Sequence, residues 1–109
     1  MATSTTAYVR EVRNVRATNL EIDDDGFTLE LDDGRTLTVP IVWFPRLSYS
    51  TQAERENWQF LGDGVGIHWP DLDEDISVRH LLDGRGSNEG RASLKRWLDS
   101  RAAKEKTDA

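Results

Sequence analysis

Four carboxylates, a histidine and a tryptophan fall within twelve consecutive residues, Gly66-Ile67-His68-Trp69-Pro70-Asp71-Leu72-Asp73-Glu74-Asp75-Ile76-Ser77. Such residues serve three chemistries. Carboxylate oxygens converging on one point hold calcium or magnesium. A histidine acts as general base when a nucleophile or a carboxylate lies within hydrogen-bond reach. An acidic rim attracts a basic partner. The acidic run also has a plainer reading, in which Asp75 caps a helix that starts near Ile76 while Asp73 and Glu74 favour its positive end. A second acidic spacing starts at Glu21, with Asp23, Asp25, Gly26 and Asp32 at the third, fifth, sixth and twelfth places of a calcium-loop pattern. That loop needs helices on both sides, an Asp first and a Glu last, whereas these flanks alternate as strands do. No metal and no cofactor is expected at either place.

His68 sits between Ile67 and Trp69, so on a strand it points away from the face those two share. His80 is the only other histidine, and there is no cysteine. Thiolate nucleophiles, zinc–thiolate sites and disulfides are therefore excluded. Ser48, Ser50 and Thr51 fit loop and cap chemistry. Gly62-Asp63-Gly64-Val65-Gly66 precedes a strand, not a helix, and lacks the Lys-Ser or Lys-Thr of a phosphate loop. No residue is assigned a catalytic role, and the chain is read as a non-enzyme.

The elements that must carry these residues follow from periodicity. Residues 8–17 hold Val9, Val12 and Val15 three apart, which reads as a first strand with an irregularity. Leu20 and Ile22 alternate, as do Phe27, Leu29 and Leu31, and then Leu37, Val39 and Ile41. Asp24-Asp25-Gly26 and Asp32-Asp33-Gly34 punctuate them as hairpin turns whose glycines supply positive backbone angles. Trp43-Phe44, between Pro40 and Pro45, is placed over an open end of the sheet. Thr51-Gln52-Ala53-Glu54 spells a capping box and opens a helix through about Trp58, with Arg55 and Glu56 outward. Val65, Ile67 and Trp69 alternate as the final strand, which Pro70 ends. Residues 71–75 form a polar turn, and Ile76, Val78, Leu81 and Leu82 make a short helix ended by Gly84. Beyond a flexible joint at 85–90, residues 91–103 form an amphipathic helix with Leu94, Trp97, Leu98 and Arg101 on one face. Residues 1–7 and 104–109 are read as disordered ends. The fold class is α+β: one domain over 8–84, a small antiparallel sheet made of a meander plus a further strand and packed by short helices, followed by the C-terminal helix.

With 109 residues the chain suits one modest core. Its 37% hydrophobic and 31% charged content, with four tryptophans, describes a folded domain with a charged surface. A net charge of −6, from 20 acidic and 14 basic residues, opposes the phosphate attraction of nucleic-acid binders. Only terminal basic clusters qualify this, Arg10, Arg13 and Arg16 at one end and Arg91, Lys95, Arg96, Arg101, Lys104 and Lys106 at the other. No run is apolar enough to cross a bilayer, and Met1-Ala2-Thr3-Ser4-Thr5-Thr6 has no leader character. A cytoplasmic, non-membrane protein is expected.

The landmarks Val39-Pro40, Pro45-Arg46-Leu47, Glu54-Arg55-Glu56-Asn57-Trp58, Gly66-Ile67-His68-Trp69-Pro70, Leu72-Asp73-Glu74-Asp75-Ile76 and Leu81-Leu82-Asp83-Gly84 come in an order that resembles the small, mainly bacterial domain of unknown function 2442 family. The resemblance covers about residues 8–84, and the tryptophan-proline step with its acidic, apolar sequel is the most specific part. It implies an α+β fold with no established enzymatic activity, in proteins similar to the second member of toxin–antitoxin-like or regulatory gene pairs. Some members carry a helix-turn-helix after the shared region. Residues 87–109 hold one helix here and cannot form one.

The expected function is a non-catalytic, antitoxin-like or regulatory interaction domain. Its expected partner is a second protein, a basic toxin-like neighbour, with a homo-oligomer as the other open arrangement. The contact residues expected are His68, Asp71, Asp73 and Glu74, with the Leu94, Trp97, Leu98 stripe docked either on its own domain or on another chain. Two alternatives remain at this point: a metal- or small-molecule-binding sensor or enzyme built on residues 71–75, and a DNA-binding autoregulator acting in a complex.

Overall fold

The computed structural model describes residues 15–108, so the readings made for residues 1–14, including strand residues Val9 and Val12, lie outside the described residues. The architecture is α+β, as expected. Strands β1 (Ala17–Ile22), β2 (Gly26–Leu31) and β3 (Thr36–Pro40) form an antiparallel meander. Phe27, Leu29 and Leu31 are buried, as period two requires, and Leu20, Val39 and Ile41 join them. Among the described residues the first strand starts at Ala17, and its pairing with β2 shifts register between Ala17 and Asn19. Of the two Asp-Asp-Gly turns only the second uses a left-handed glycine, Gly34 at φ 92°. Gly26 is needed for closeness instead, because a Cβ there would lie 2.4 Å from the Val39 carbonyl oxygen.

A 3-10 turn (Ile41–Trp43) leads into helices α1 (Pro45–Ser48) and α2 (Gln52–Glu56). Phe44 is buried, whereas Trp43 is 39% exposed and covers less of the sheet than expected. The capping box forms as spelled: the Glu54 N–H donates to the Thr51 hydroxyl at 3.1 Å, and the Thr51 N–H donates to the Glu54 carboxylate at 2.9 Å. The helix stops at Glu56 rather than near Trp58. Arg55 does not point outward; it is 5% exposed. Its Nε and Nη2 donate to the carbonyls of Leu47 (3.1 Å) and Ser48 (3.2 Å), and Nη1 pairs with Asp24. The end of α1 leaves carbonyls without helical partners, and one cation meets the Ser48 carbonyl and joins Ser50 on that of Leu47.

The strand through Ile67 and Trp69 is not the last. β5 (Gly66–Trp69) is the centre of a second three-stranded antiparallel sheet, between β4 (Gln59–Leu61) and β6 (Glu74–Ser77). Residues 74–77 were expected to end a polar turn and begin a helix. They form a strand instead, and helix α3 (Val78–Leu82) starts afterwards, capped by the Ser77 hydroxyl and not by Asp75. Nor does Val65 share the core face with Ile67 and Trp69: a 3-10 turn at Gly62–Gly64 interrupts the alternation, leaving Val65 44% exposed. Ile67, Trp69, Leu72 and Val78 are fully buried. The two sheets share this core, since Phe27 meets Trp69 edge-on at 6.2 Å and Phe44 at 5.9 Å. The Trp69 indole N–H is satisfied by the Arg55 carbonyl at 2.9 Å.

The joint at 85–90 is fastened: the Ser87 N–H donates to the Trp43 carbonyl at 2.9 Å and the Glu89 N–H to the Ser87 hydroxyl at 3.0 Å. Helix α4 (Arg91–Asp108) then continues past residue 103, where a disordered tail was expected. Leu94, Trp97 and Leu98 are half-buried, and Trp97 packs against the core of its own domain.

Candidate functional site

Strand periodicity explains where the acidic segment points. On β6, Glu74 and Ile76 lie on one face. Ile76 is buried in the core, so its neighbour two residues back carries a carboxylate onto the same side, at the rim of the core. Burial pushes the Glu74 carboxyl up to about 7, against the pull of the Arg46 guanidinium. Among the described residues no donor is hydrogen-bonded to it. Asp75 lies on the opposite face, in register with His68, and its carboxylate pairs with His68 Nδ1. His68 does point away from Ile67 and Trp69, as alternation demanded. Its carboxylate partner was hidden because β6 read as a turn.

Arg46, on α1, organises the surroundings. It donates from Nη1 to the carbonyls of Leu72 (2.9 Å) and Asp73 (3.3 Å), which fixes the acidic turn from below. Its Nε and Nη2 clamp the Glu89 carboxylate at 2.8 and 2.7 Å, and the Ser93 hydroxyl adds a bond of 2.6 Å to Glu89. The clamp holds the Glu89 carboxyl below the usual range. The same guanidinium lies 5.3 Å from the Trp97 ring centre, and that of Arg101 lies 4.7 Å away. Arg101 in turn clamps the capping-box Glu54 with two bonds of 2.8 Å. This clamp draws the Glu54 carboxyl down to about 2. The sequence motif revealed Glu54 as a cap, but nothing local marked its second bond to a residue 47 positions away.

Two concave surfaces result, one on either side of the turn after β5. The first is a cleft of about 290 Å³ between β6 and segment 85–89, where Asp73, Glu74, Asp75 and Glu89 face Arg46, Arg85 and His80. The second, of about 640 Å³, runs between Pro70, Asp71 and Glu54 on one wall and Trp97, Arg101 and Lys104 on the other. Asp71 accepts a bond of 3.0 Å from the Asn57 amide. The expected contact residues are thereby divided: Asp73 and Glu74 enter the first cleft, Asp71 and Trp97 the second, and Leu94 and Leu98 line neither. Among the described residues no three histidine or carboxylate side chains converge as an ion site requires. Asp23, within the calcium-loop spacing, instead accepts the N–H groups of Asp25 (2.8 Å) and Gly26 (3.1 Å) and shapes a turn. Sequence reasoning missed Arg46, Arg85 and Glu89, and only Glu89's acidic character offered any signal.

Two small antiparallel sheets around a shared core, short helices and a C-terminal helix clamped across the outside define an α+β class of domain. Within that class the chain belongs to the family described as protein of unknown function (DUF2442), whose model matches residues 17–87. Glu89 and α4 lie beyond the matched segment. The fold is similar to the crystal structure of a protein of unknown function from Rhodospirillum rubrum, with a TM-score of 0.61 and 25% identity, covering 74% of this chain and 98% of that one. It is similar as well to the solution NMR structure of an uncharacterized protein from Chromobacterium violaceum, with a TM-score of 0.61 and 18% identity over 80% of this chain and 82% of the other. No curated protein matches the chain.

Proposed function

We propose that this chain is a non-catalytic, cytoplasmic interaction domain that acts as the antitoxin-like or regulatory partner of a second, basic protein. One observation carries the reading. The connection between β3 and α2 leaves Val42 71%, Tyr49 60% and Trp43 39% exposed, and the same connection runs along a carboxylate-lined cleft. Phe44 and Arg46, from the same connection, line that cleft, and the Trp43 carbonyl is bonded to Ser87 on its far wall. Exposed apolar surface rimmed by charge is what protein contacts use, and excess carboxylate selects a basic partner and speeds its encounter. Trp97 supports the same assignment from the other side. Its ring is already engaged by the Arg46 and Arg101 guanidinium groups of its own chain, whereas Val42 and Tyr49 are exposed.

The test is co-expression with the product of the adjacent gene, followed by titration of the two purified proteins at low and high salt. A complex that weakens with salt, and that Val42→Asp and Tyr49→Asp weaken about tenfold or more, as removal of interface anchors does, is the expected result. Failure to associate at low salt would overturn the proposal.

A further inference from the structure

Strand β6 pairs with β5 on one side only and forms the edge of its sheet. The Val78 N–H donates to the Val65 carbonyl at 3.0 Å just past its end, and Ile76 stands opposite Ile67 in the register. Main-chain groups alternate sides along an antiparallel strand, so Glu74 and Ile76 turn theirs toward β5, and Asp75 and Ser77 turn theirs outward. Among the described residues, no main-chain group of segment 85–89 bonds to that outer edge. Ser87 spends its N–H on Trp43 and Glu89 spends its own on Ser87. Yet β6 and segment 85–89 line the same cleft. Among the described residues the slot therefore has an unpaired strand edge along one wall and carboxylates in its lining.

We propose that the outer edge of β6 receives an extended segment of the partner protein as an added strand, with one lysine or arginine of that segment entering the cleft between Glu74 and Glu89. The inference rests on the reading of the chain as an interaction domain and names the chemistry of its partner. Strand addition draws its affinity from main-chain bonds and its specificity from pockets for alternate side chains. At about 290 Å³ the cleft lies at the bottom of the range for small-molecule sites, roughly 300–1,000 Å³. It suits one long side chain better than a cofactor. Its charge selects a cation: with Arg46 and Glu89 paired to each other, Asp73, Glu74 and Asp75 still outnumber Arg85. The same charge would repel a second copy of this acidic chain from the edge, the usual protection of an exposed strand, while admitting a basic one.

Glu74 adds a pH signature. The groups around it are Arg46 from α1, Asp73 and Asp75 from its own turn and strand, His80 from α3, and Arg85 and Glu89 from the joint. With its carboxyl raised to about 7, Glu74 is partly protonated at neutral pH. An incoming ammonium favours the ionised form, so binding strengthens as pH rises from 6 to 8, two settings that bracket roughly one unit on each side of that value. Glu74→Gln is expected to remove this dependence.

The experiment titrates the full chain with a capped hexapeptide of alternating valine and lysine, followed by NMR and amide hydrogen exchange. Slowed exchange at Asp75 and Ser77 is expected, together with about tenfold weaker binding to Glu74→Gln, the scale of one charge-assisted contact. Peptides N-methylated at alternate residues, in either phase, test the main-chain pairing without altering the protein; one phase is expected to abolish binding. Equal binding of a valine–glutamate hexapeptide, absence of binding, or protection that bypasses Asp75 and Ser77 would each overturn the assignment. If the adjacent gene product still binds in those cases, the edge assignment falls and the interaction reading stands. If it does not, both fall.

Discussion

The body of the domain and the helix strapped across it are held by different forces. Between the sheets, Phe27, Leu29, Leu47, Ile67, Trp69, Leu72 and Val78 are out of contact with water, and a non-directional hydrophobic term of this kind is almost indifferent to salt and moderate pH. α4 is held otherwise. Its contacts include the bidentate Arg101–Glu54 clamp, the bond from Ser93 to the Glu89 carboxylate that Arg46 clamps in turn, and the half-buried Trp97 indole beside the Arg46 and Arg101 guanidinium groups. Ion pairs in partly exposed positions are worth little individually and are screened by salt. The strap is therefore the part that can be loosened while the body stays folded, and it walls the second cleft.

The largest effect that would test this contrast is in the core. Trp69→Ala removes the indole that meets Phe27 and the bond to the Arg55 carbonyl, and should cost about 3–5 kcal/mol, read as a lower urea midpoint that added salt does not alter. Arg55→Met should come next, at about 2–3 kcal/mol, because the Ser48 carbonyl loses the Arg55 donor, the Leu47 carbonyl keeps its Ser50 donors alone of the side chains that met it, and Asp24 loses its ion pair, while much of the side-chain packing remains. A loss below about 0.5 kcal/mol would mean that Arg55 is incidental to the body.

Glu54→Gln acts on the strap and on the α2 cap, and should cost about 1 kcal/mol of global stability. It should also speed proteolytic cleavage within residues 85–90, and high salt should reproduce that effect in the unaltered chain. Unchanged cleavage would show that apolar contacts, not the clamps, hold α4.

Smallest in size, but sharpest in form, is a pH comparison of two glutamates. The folded state lowers Glu54 from 4.5 to about 2, so its contribution is present above pH 4.5 and is lost as pH falls toward 2. The folded state raises Glu74 from 4.5 to about 7, so the folded protein binds the extra proton between those values and stability declines as pH rises through that window. Urea midpoints measured from pH 2 to 8 should show a shallower acid-side slope in Glu54→Gln, where the Arg46–Glu89 clamp still contributes, and should lose the decline above pH 4.5 in Glu74→Gln. An unaltered slope in Glu74→Gln would show that this carboxyl is not held in a desolvated place.

What was legible in the chain depended on the range of the determining interaction. The meander was visible because Phe27, Leu29 and Leu31 write their face directly into an alternation, and the cap of α2 because Thr51 and Glu54 are three residues apart. β6 was hidden because Asp73, Glu74 and Asp75 look like a solvated turn: two residues at most of a four-residue strand, Ile76 and the rim-held Glu74, face the core. A helix cap and a strand end are also spelled with the same residue types. Arg55 was misjudged because a lone arginine on a five-residue helix carries no local sign of the two carbonyls that bury it.

By itself, then, the sequence determined the class of the fold, the first sheet, the opposed faces of Ile67 and His68, the acidic surface and the family, all of which follow from neighbours close along the chain. Only the tertiary structure decided that β5 lies inside a second sheet, that His68 pairs with Asp75, that α4 rests on its own domain, and that Arg46, Glu74 and Glu89 meet in one cleft. Those pairings join residues far apart in sequence. Each depends on which buried groups find a partner once the core has closed, and no local pattern encodes that.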